Sequence, residues 1–265
     1  MKQILLIISL ISIIFSSCEK INLQTADSNV AVIESYINPS NQIEVKVTKQ
    51  IVFQSEETEI IYLDNLDLKI KYNDNWLNLD YKYDSVYTTE GIDVKPGDVL
   101  ELAFEYNDKT ISSETVVPAK PQDFHLSTTV VEVSSASSGP GPGSGTMEPV
   151  VITWTNPNNE YHMIVVKNIE SNPDLINDDD SRPVRSFRNS PVQGESQDLS
   201  PRSFVYYGRH QVILFRLNPE YAALYENLES NSLDISAPPT NITNGLGIFT
   251  GFNADTLYLN VVPAK

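Results

Sequence analysis

VVITWTNPNNEYHMIVVKN, residues 150–168, is the stretch whose periodicity decides the fold class. Val150, Ile152 and Trp154 alternate with Val151, Thr153 and Thr155; Pro157 and Asn158 interrupt the run, and Tyr161, Met163 and Val165 resume it. Side chains two residues apart share one face of a strand, so the segment reads as two strands joined by a turn, with Trp154 filling a core. Proline presets φ at such a turn and asparagine tolerates positive φ.

The same period of two runs through the chain on both sides. Ile43, Val45 and Val47 alternate with Glu44, Lys46 and Thr48. Leu66, Leu68, Ile70 and Tyr72 alternate with Asp67, Lys69 and Lys71, and Leu100, Leu102, Phe104 and Tyr106 with Glu101, Ala103 and Glu105. Each is a strand with one dry and one wet face. Turn sequences separate them: INPSNQ (37–42), YNDNW (72–76) and KPGD (95–98). Short punctuated strands without intervening helices predict a mainly β protein of two antiparallel sandwich units, and residues 150–168 resemble the early strands of an immunoglobulin or fibronectin type III sandwich.

A first unit is expected over 29–120, its last strand running from Thr110 to Val117 and stopped by Pro118; a second follows over 121–265, opening with Phe124 to Val133. SSASSGPGPGSGT (134–146) carries no apolar side chain able to build a core and is read as a long connection inside the second unit; the competing reading is an interdomain linker. Glu170 to Arg202 is polar and aperiodic, with strands expected again at Ser203–Tyr207 and Gln211–Leu217. One short helix is expected at 219–229, with Asn218 as its cap, Pro219 in its first turn and Tyr221, Leu224, Tyr225 and Leu228 on one face. A final strand is expected from Thr256 to Val262. Both units end on the same five residues, VVPAK, at 116–120 and 261–265.

The first residues have a different character. Lys2 precedes an apolar run from Ile4 to Phe15, and Ser16 and Ser17 follow it, the layout of an export signal over residues 1–17. Twelve helical residues rise about 18 Å, short of the ~30 Å hydrocarbon layer, so the run is read as a cleaved signal and not a span. FSSC (15–18) resembles a bacterial lipobox, with Phe15 where leucine is usual. The resemblance implies that Cys18 carries the lipid and that 18–28 is a tether. Cys18 is the only cysteine, which excludes an internal disulfide. Loss of residues 1–17 removes one of 18 basic side chains against 35 acidic ones and takes the net charge from −17 to −18. Such a body repels phosphate backbones, so nucleic acid is excluded as a partner class.

LNPEYAALYENLE (217–229) followed by PPTNITNGLGIFTGF (238–252), together with the Cys-Glu-Lys opening at 18–20 and the β-rich first half, resembles the "domain of unknown function 4249" family of Bacteroidota lipoproteins. The resemblance covers essentially the whole chain after the signal. It implies an accessory role in nutrient uptake beside a TonB-dependent receptor at the outer membrane, and no established activity.

Catalytic constellations are thin. His125, His162 and His210 lie in or beside predicted strands without metal-ligand spacing, and no G-x-S-x-G elbow exists. Gly245, Gly247 and Gly251 form G-x-G-x-x-x-G, one residue too long for a dinucleotide fingerprint and outside any βαβ unit; a tight turn laying Phe249 on the sandwich is the plainer reading. In NDDD (177–180), Arg182 stands where a calcium loop needs glycine. No cofactor or metal is therefore expected, and the chain is read as a binding module and not an enzyme. Candidate binding residues are Asn244, Gly245, Gly247, Phe249, Tyr206 and Tyr207, with further tyrosines at Tyr81, Tyr83 and Tyr87, for a peptide or glycan. The loops 134–146, 170–202 and 240–253 are the expected recognition sites. The alternatives are an adhesion or glycan-binding lipoprotein without a transporter, and a hydrolase with a dispersed site.

Overall fold

The computed structural model describes residues 29–39, 41–51, 59–134, 148–177, 183–226 and 239–264. The signal over 1–17, Cys18, the tether, most of the loop 134–146, Asp178–Asp180 and the last residues of the expected helix lie outside them.

The described chain is mainly β, with sixteen strands and one α-helix. In the first unit β1 (Ala31–Ile37), β2 (Ile43–Lys49), β5 (Asp80–Tyr83) and β6 (Val86–Thr89) lie in one sheet, in the order β1-β2-β6-β5. A second sheet runs β4-β3-β7-β8, from β3 (Lys69–Tyr72), β4 (Asn75–Asn78), β7 (Val99–Tyr106) and β8 (Lys109–Val116). Their dry faces meet in one core that includes Ile33, Val45, Val47, Tyr87, Ile70, Leu100, Leu102 and Ile111. Two-residue turns join several neighbours: Asn73-Asp74, Asp84-Ser85 and Asn107-Asp108 all have positive φ at both positions, as hairpin turns matching the strand twist require.

The second unit repeats this plan. β9 (Gln122–Leu126), β11 (Val150–Thr155) and β14 (Ser196–Leu199) form the sheet β14-β11-β9. Facing it are β13 (Ser186–Arg188), β12 (Tyr161–Asn168), β15 (Gly208–Leu217) and β16 (Leu246–Pro263), in that order, with β10 (Val130–Val133) parallel to the end of β16. Trp154 is buried between them with Ile152, Val166, Leu214 and Leu259. The first unit sets four strands against four and the second sets three against four, with β10 added beside β16, an immunoglobulin-like arrangement in both. The two VVPAK segments terminate the equivalent last strands β8 and β16. Because β9 pairs with β11, and Leu126, Val131 and Val133 lie in the second core, residues 124–133 belong to the second unit and the chain from 134 to 148 connects strands of that unit.

Several expected boundaries shift. Ser203–Tyr207 is not a strand: Pro201–Ser203 form a 3-10 turn and Tyr206 makes a single bridge to Leu175. The polar stretch 170–202 contributes β13 and β14. The helix α1 (Pro219–Glu226) buries Ala222 and leaves Tyr221, Leu224 and Tyr225 half-buried. Asn218 does not cap it with its side chain, which instead donates to Val116 O (2.8 Å) and Thr115 Oγ1 (3.0 Å) of β8.

The largest departure is β16. Its residues 252–261 pair antiparallel with β15 in the second unit, but 246–251 pair parallel with β1 in the first. Phe249 is fully buried in the first core with Ile242, so residues 242–251 complete the first sandwich although the boundary read at residue 120 assigns them to the second. Polar bonds fasten this segment: Asn241 holds Phe249 at both backbone groups, Ser112 and Thr243 exchange backbone bonds, and Asn244 Nδ2 donates to Thr110 O at 2.9 Å.

Two histidines are core residues of the second unit. His162 Nδ1 donates to Glu160 O (3.1 Å) and its ring lies 5.3 Å from Trp154. His210 Nδ1 donates to Gly208 O (3.0 Å), and Nε2, left as an acceptor in that tautomer, receives Asn168 Nδ2 at 3.3 Å. Burial lowers both below the ordinary 6.5. The carbonyl bonds partly oppose it, as does Glu160 at His162, where Arg216 adds to the lowering, and Glu170 at His210.

Two outcomes are expected. Gly247 has φ +96° and an added Cβ would fall onto the carbonyl oxygen of Ile33, so Gly247→Ala should cost about 3 kcal/mol or more in urea unfolding; Gly91, at φ +80° with nothing near its Cβ position, should cost about 1 kcal/mol. The folded state binds fewer protons than the unfolded one at His162 and His210, so this contribution to stability is complete above pH 6.5 and is lost as pH falls through the lowered folded-state values. Thermal melts from about pH 7.5 to about pH 5 should show Tm falling, with a shallower fall in the His162→Asn, His210→Asn double variant.

Candidate functional site

The outward face of the first sandwich carries the site. Alternation along β1 sends Ile33 and Ile37 inward and Glu34 and Tyr36 outward; along β2 it sends Val45 and Val47 inward and Glu44 and Lys46 outward. Register then sets Glu34 opposite Lys46 and Lys46 opposite Val86 of β6. Between these strands lies a cleft of about 350 Å³ lined by Glu34, Ser35, Tyr36, Glu44, Lys46 and Val86. Ser35 is buried beneath it and donates Oγ to Glu44 O at 2.8 Å, bracing β1 against β2.

One wall of the cleft is aromatic. Tyr36 is 43% exposed and meets Tyr221 of α1 edge to face, 6.0 Å between centroids at 77°. Tyr221 continues to Tyr225 at 5.7 Å, their hydroxyls 3.4 Å apart, and the Arg188 guanidinium stands 5.3 Å over the Tyr225 ring. Burial pushes the Tyr36 hydroxyl up, with Glu34 and then Tyr225 adding to it. Burial likewise drives Tyr221 well above the usual phenol range, aided by its bond to Tyr225. Both remain neutral phenols at any physiological pH. Across the cleft, the Lys46 ammonium leans 5.9 Å over the Tyr62 ring. The face thus offers two carboxylates, one ammonium and a fixed phenol ring, a set suited to noncovalent recognition.

α1 is seated so that it can supply this wall. Glu220 Oε1 accepts from Thr115 Oγ1 (3.1 Å) and Thr250 Oγ1 (2.9 Å), and Thr115 Oγ1 accepts from Gly251 N (2.8 Å). The helix, β8 and β16 therefore share one polar knot.

The residues proposed from sequence fall elsewhere. Gly245 and Gly247 let the chain pass Ala31 and Ile33 closely, Phe249 is core, and Asn244 ties the segment to β8. Their geometry is that of a clasp. Tyr206 is buried, with Arg185 6.0 Å over its ring, and the Tyr207 hydroxyl donates to Val133 O at 3.4 Å. Tyr87 is buried, its hydroxyl donating to Leu63 O (2.8 Å) and accepting from Leu66 N (3.2 Å). Tyr81 packs edge-on against it, and Tyr81 and Tyr83 are exposed on the edge strand β5. Glu34, Tyr36, Glu44 and Lys46 were not singled out from sequence. Their wet-face positions were legible, but convergence on one cleft depends on register between strands. Among the described residues no group of three or more histidine, cysteine or acidic side chains is placed to hold a metal.

No curated protein matches this chain significantly. A family model described as "Domain of unknown function (DUF4249)" matches residues 19–257. That span takes in the first sandwich, all of the second but the end of β16, α1, the clasp and every residue of the cleft, and the chain belongs to the DUF4249 family.

Proposed function

We propose that this protein is a lipoprotein of the outer membrane, anchored through Cys18, and that it serves as a non-enzymatic binding module for a TonB-dependent receptor in nutrient uptake. The observation that carries the reading is the N-terminal stretch itself. A basic residue, a twelve-residue apolar run and two small residues precede the single cysteine, and the family match begins at the next residue, Glu19. A single acyl chain holds a protein weakly, whereas several hold it firmly at about 0.8 kcal/mol per buried methylene. Confinement to a membrane plane raises the effective concentration near a membrane partner, so modest contacts suffice.

The two sandwiches support a module that displays a surface. β16 runs through both, Lys120 pairs with Asp255 at 2.8 Å, and Asn253 Nδ2 donates to Pro118 O at 3.0 Å, so the cleft is carried on a braced scaffold. In the site described above, the seryl hydroxyl is engaged and the histidines are remote core residues. The chemistry on offer there is charge and aromatic surface.

The test is expression in the native envelope with and without Cys18→Ser. The parent chain should sediment with membranes, gain a lipid-sized mass on Cys18, and co-purify with a β-barrel transporter after gentle detergent extraction. The variant should be released to the soluble fraction. A membrane-bound variant of unchanged mass would overturn the anchor, and recovery of the lipidated chain alone would overturn the receptor role.

A further inference from the structure

We propose that the cleft on the β1-β2-β6 face is a receptacle for a cationic side chain, an arginine or lysine presented by a basic segment of a protein partner. The inference deepens the reading of the chain as a binding module and rests on it.

Two observations converge on that occupant. First, the charges in the cleft are unmatched. Glu34 and Glu44 are exposed on adjacent strands, and neither forms an ion pair among the described residues. Lys46, their only basic neighbour on the lining, directs its ammonium toward Tyr62. A cation entering beside Tyr36 meets two carboxylates within one register step, on a chain whose full sequence carries a net charge of −17.

Second, the aromatic wall already receives a cation at its far end. Tyr36, Tyr221 and Tyr225 form a continuous ladder, and Arg188 occupies the Tyr225 face at 5.3 Å. At the near end, Tyr36 is held by Tyr221 and 43% exposed, with no guanidinium or ammonium of this chain stacked on it among the described residues. A ring fixed in place contributes cation–π attraction without losing rotamer freedom on binding.

A guanidinium has five N–H donors in a planar fork and needs several acceptors, which the two carboxylates provide. A cleft of about 350 Å³ holds one long side chain and the backbone on either side of it.

Charge complementarity therefore favours a basic peptide over a neutral sugar, and the test separates the two. The full chain in detergent is titrated with a dye-labelled, end-blocked Arg-Gly repeat hexapeptide, with its Glu-Gly counterpart, and with a neutral malto-oligosaccharide. Fluorescence anisotropy reads the peptides and calorimetry reads the sugar. The arginine peptide should bind and the glutamate peptide should not. The Glu34→Gln, Glu44→Gln double variant should lose about tenfold in affinity, and Tyr36→Leu a further several-fold. Lys46→Gln should bind more tightly. The control is Glu132→Gln, Glu195→Gln, which removes the same charge from exposed positions in the second unit and should change affinity by less than about twofold. Far-UV circular dichroism confirms that each variant is folded. Equal losses in the two double variants would reduce the effect to net charge and overturn the proposal, as would sugar binding without peptide binding. Because no transporter enters this measurement, its failure leaves co-purification with a receptor standing, and failed co-purification leaves the cleft result standing.

Discussion

Two sandwiches of this protein are held together by one backbone passing close to another. At Gly247 the chain lies against the carbonyl of Ile33, nearer than any side chain would allow, and that approach lets residues 246–251 pair in parallel with β1. The same strand then runs on without a break to pair with β15. A strand shared in this way gives the first sheet a neighbour along β1, whose backbone groups would otherwise be an unpaired edge. It also closes the first core, since Phe249 fills a site among residues more than a hundred positions earlier in the chain.

The clasp explains why the tyrosine wall can exist. α1 is a helix of eight residues, too short to be stable alone, and its packing comes from tertiary contacts. Glu220 binds hydroxyls from β8 and β16 at once, and Asn218 binds β8. The bond to Thr250 depends on β16 having crossed to the first unit. Tyr221 is then held against Tyr36, and the outward face of β1 becomes one side of a cleft. A loop-borne tyrosine would pay an ordering cost on binding that this one has already met in folding.

The units share strand order, and the identical VVPAK segments end equivalent strands. Val116 is the last residue of β8, whereas Pro263 is still paired with Val133 at the end of β16. What differs is the use of the last strand. β8 ends with its own sandwich, whereas β16 extends backward into the neighbouring one. The histidines follow the same division. His162 and His210 stabilise the second core as neutral rings, away from the charged cleft of the first.

Much of the fold was legible because local patterning and burial agree. Alternation marked β2, β3, β7 and β11, the Asn73-Asp74 turn was readable from composition, and Trp154 was recognisable as core; at β12 the alternating set Tyr161, Met163 and Val165 lies on the face opposite Ile164 and Val166, which enter the second core. Elements with weak periodicity were not readable. β4, β5, β13 and β14 are edge strands of only three or four residues, too short for period two to stand out. Ser203–Tyr207 had strand-like composition without a ladder partner. A tight turn laying Phe249 on a sandwich was legible at the glycines of 245–251, but their placement beside β1 had no local signal, because a contact across two hundred residues leaves none. The sequence by itself determined the β class, the two-unit plan and the chemical character of the wet faces, since these follow from hydrophobic alternation and turn chemistry acting over a few residues. Only the tertiary structure decided which wet-face residues converge on one cleft and which unit owns residues 242–251, because register and strand exchange are set by long-range backbone pairing and close packing.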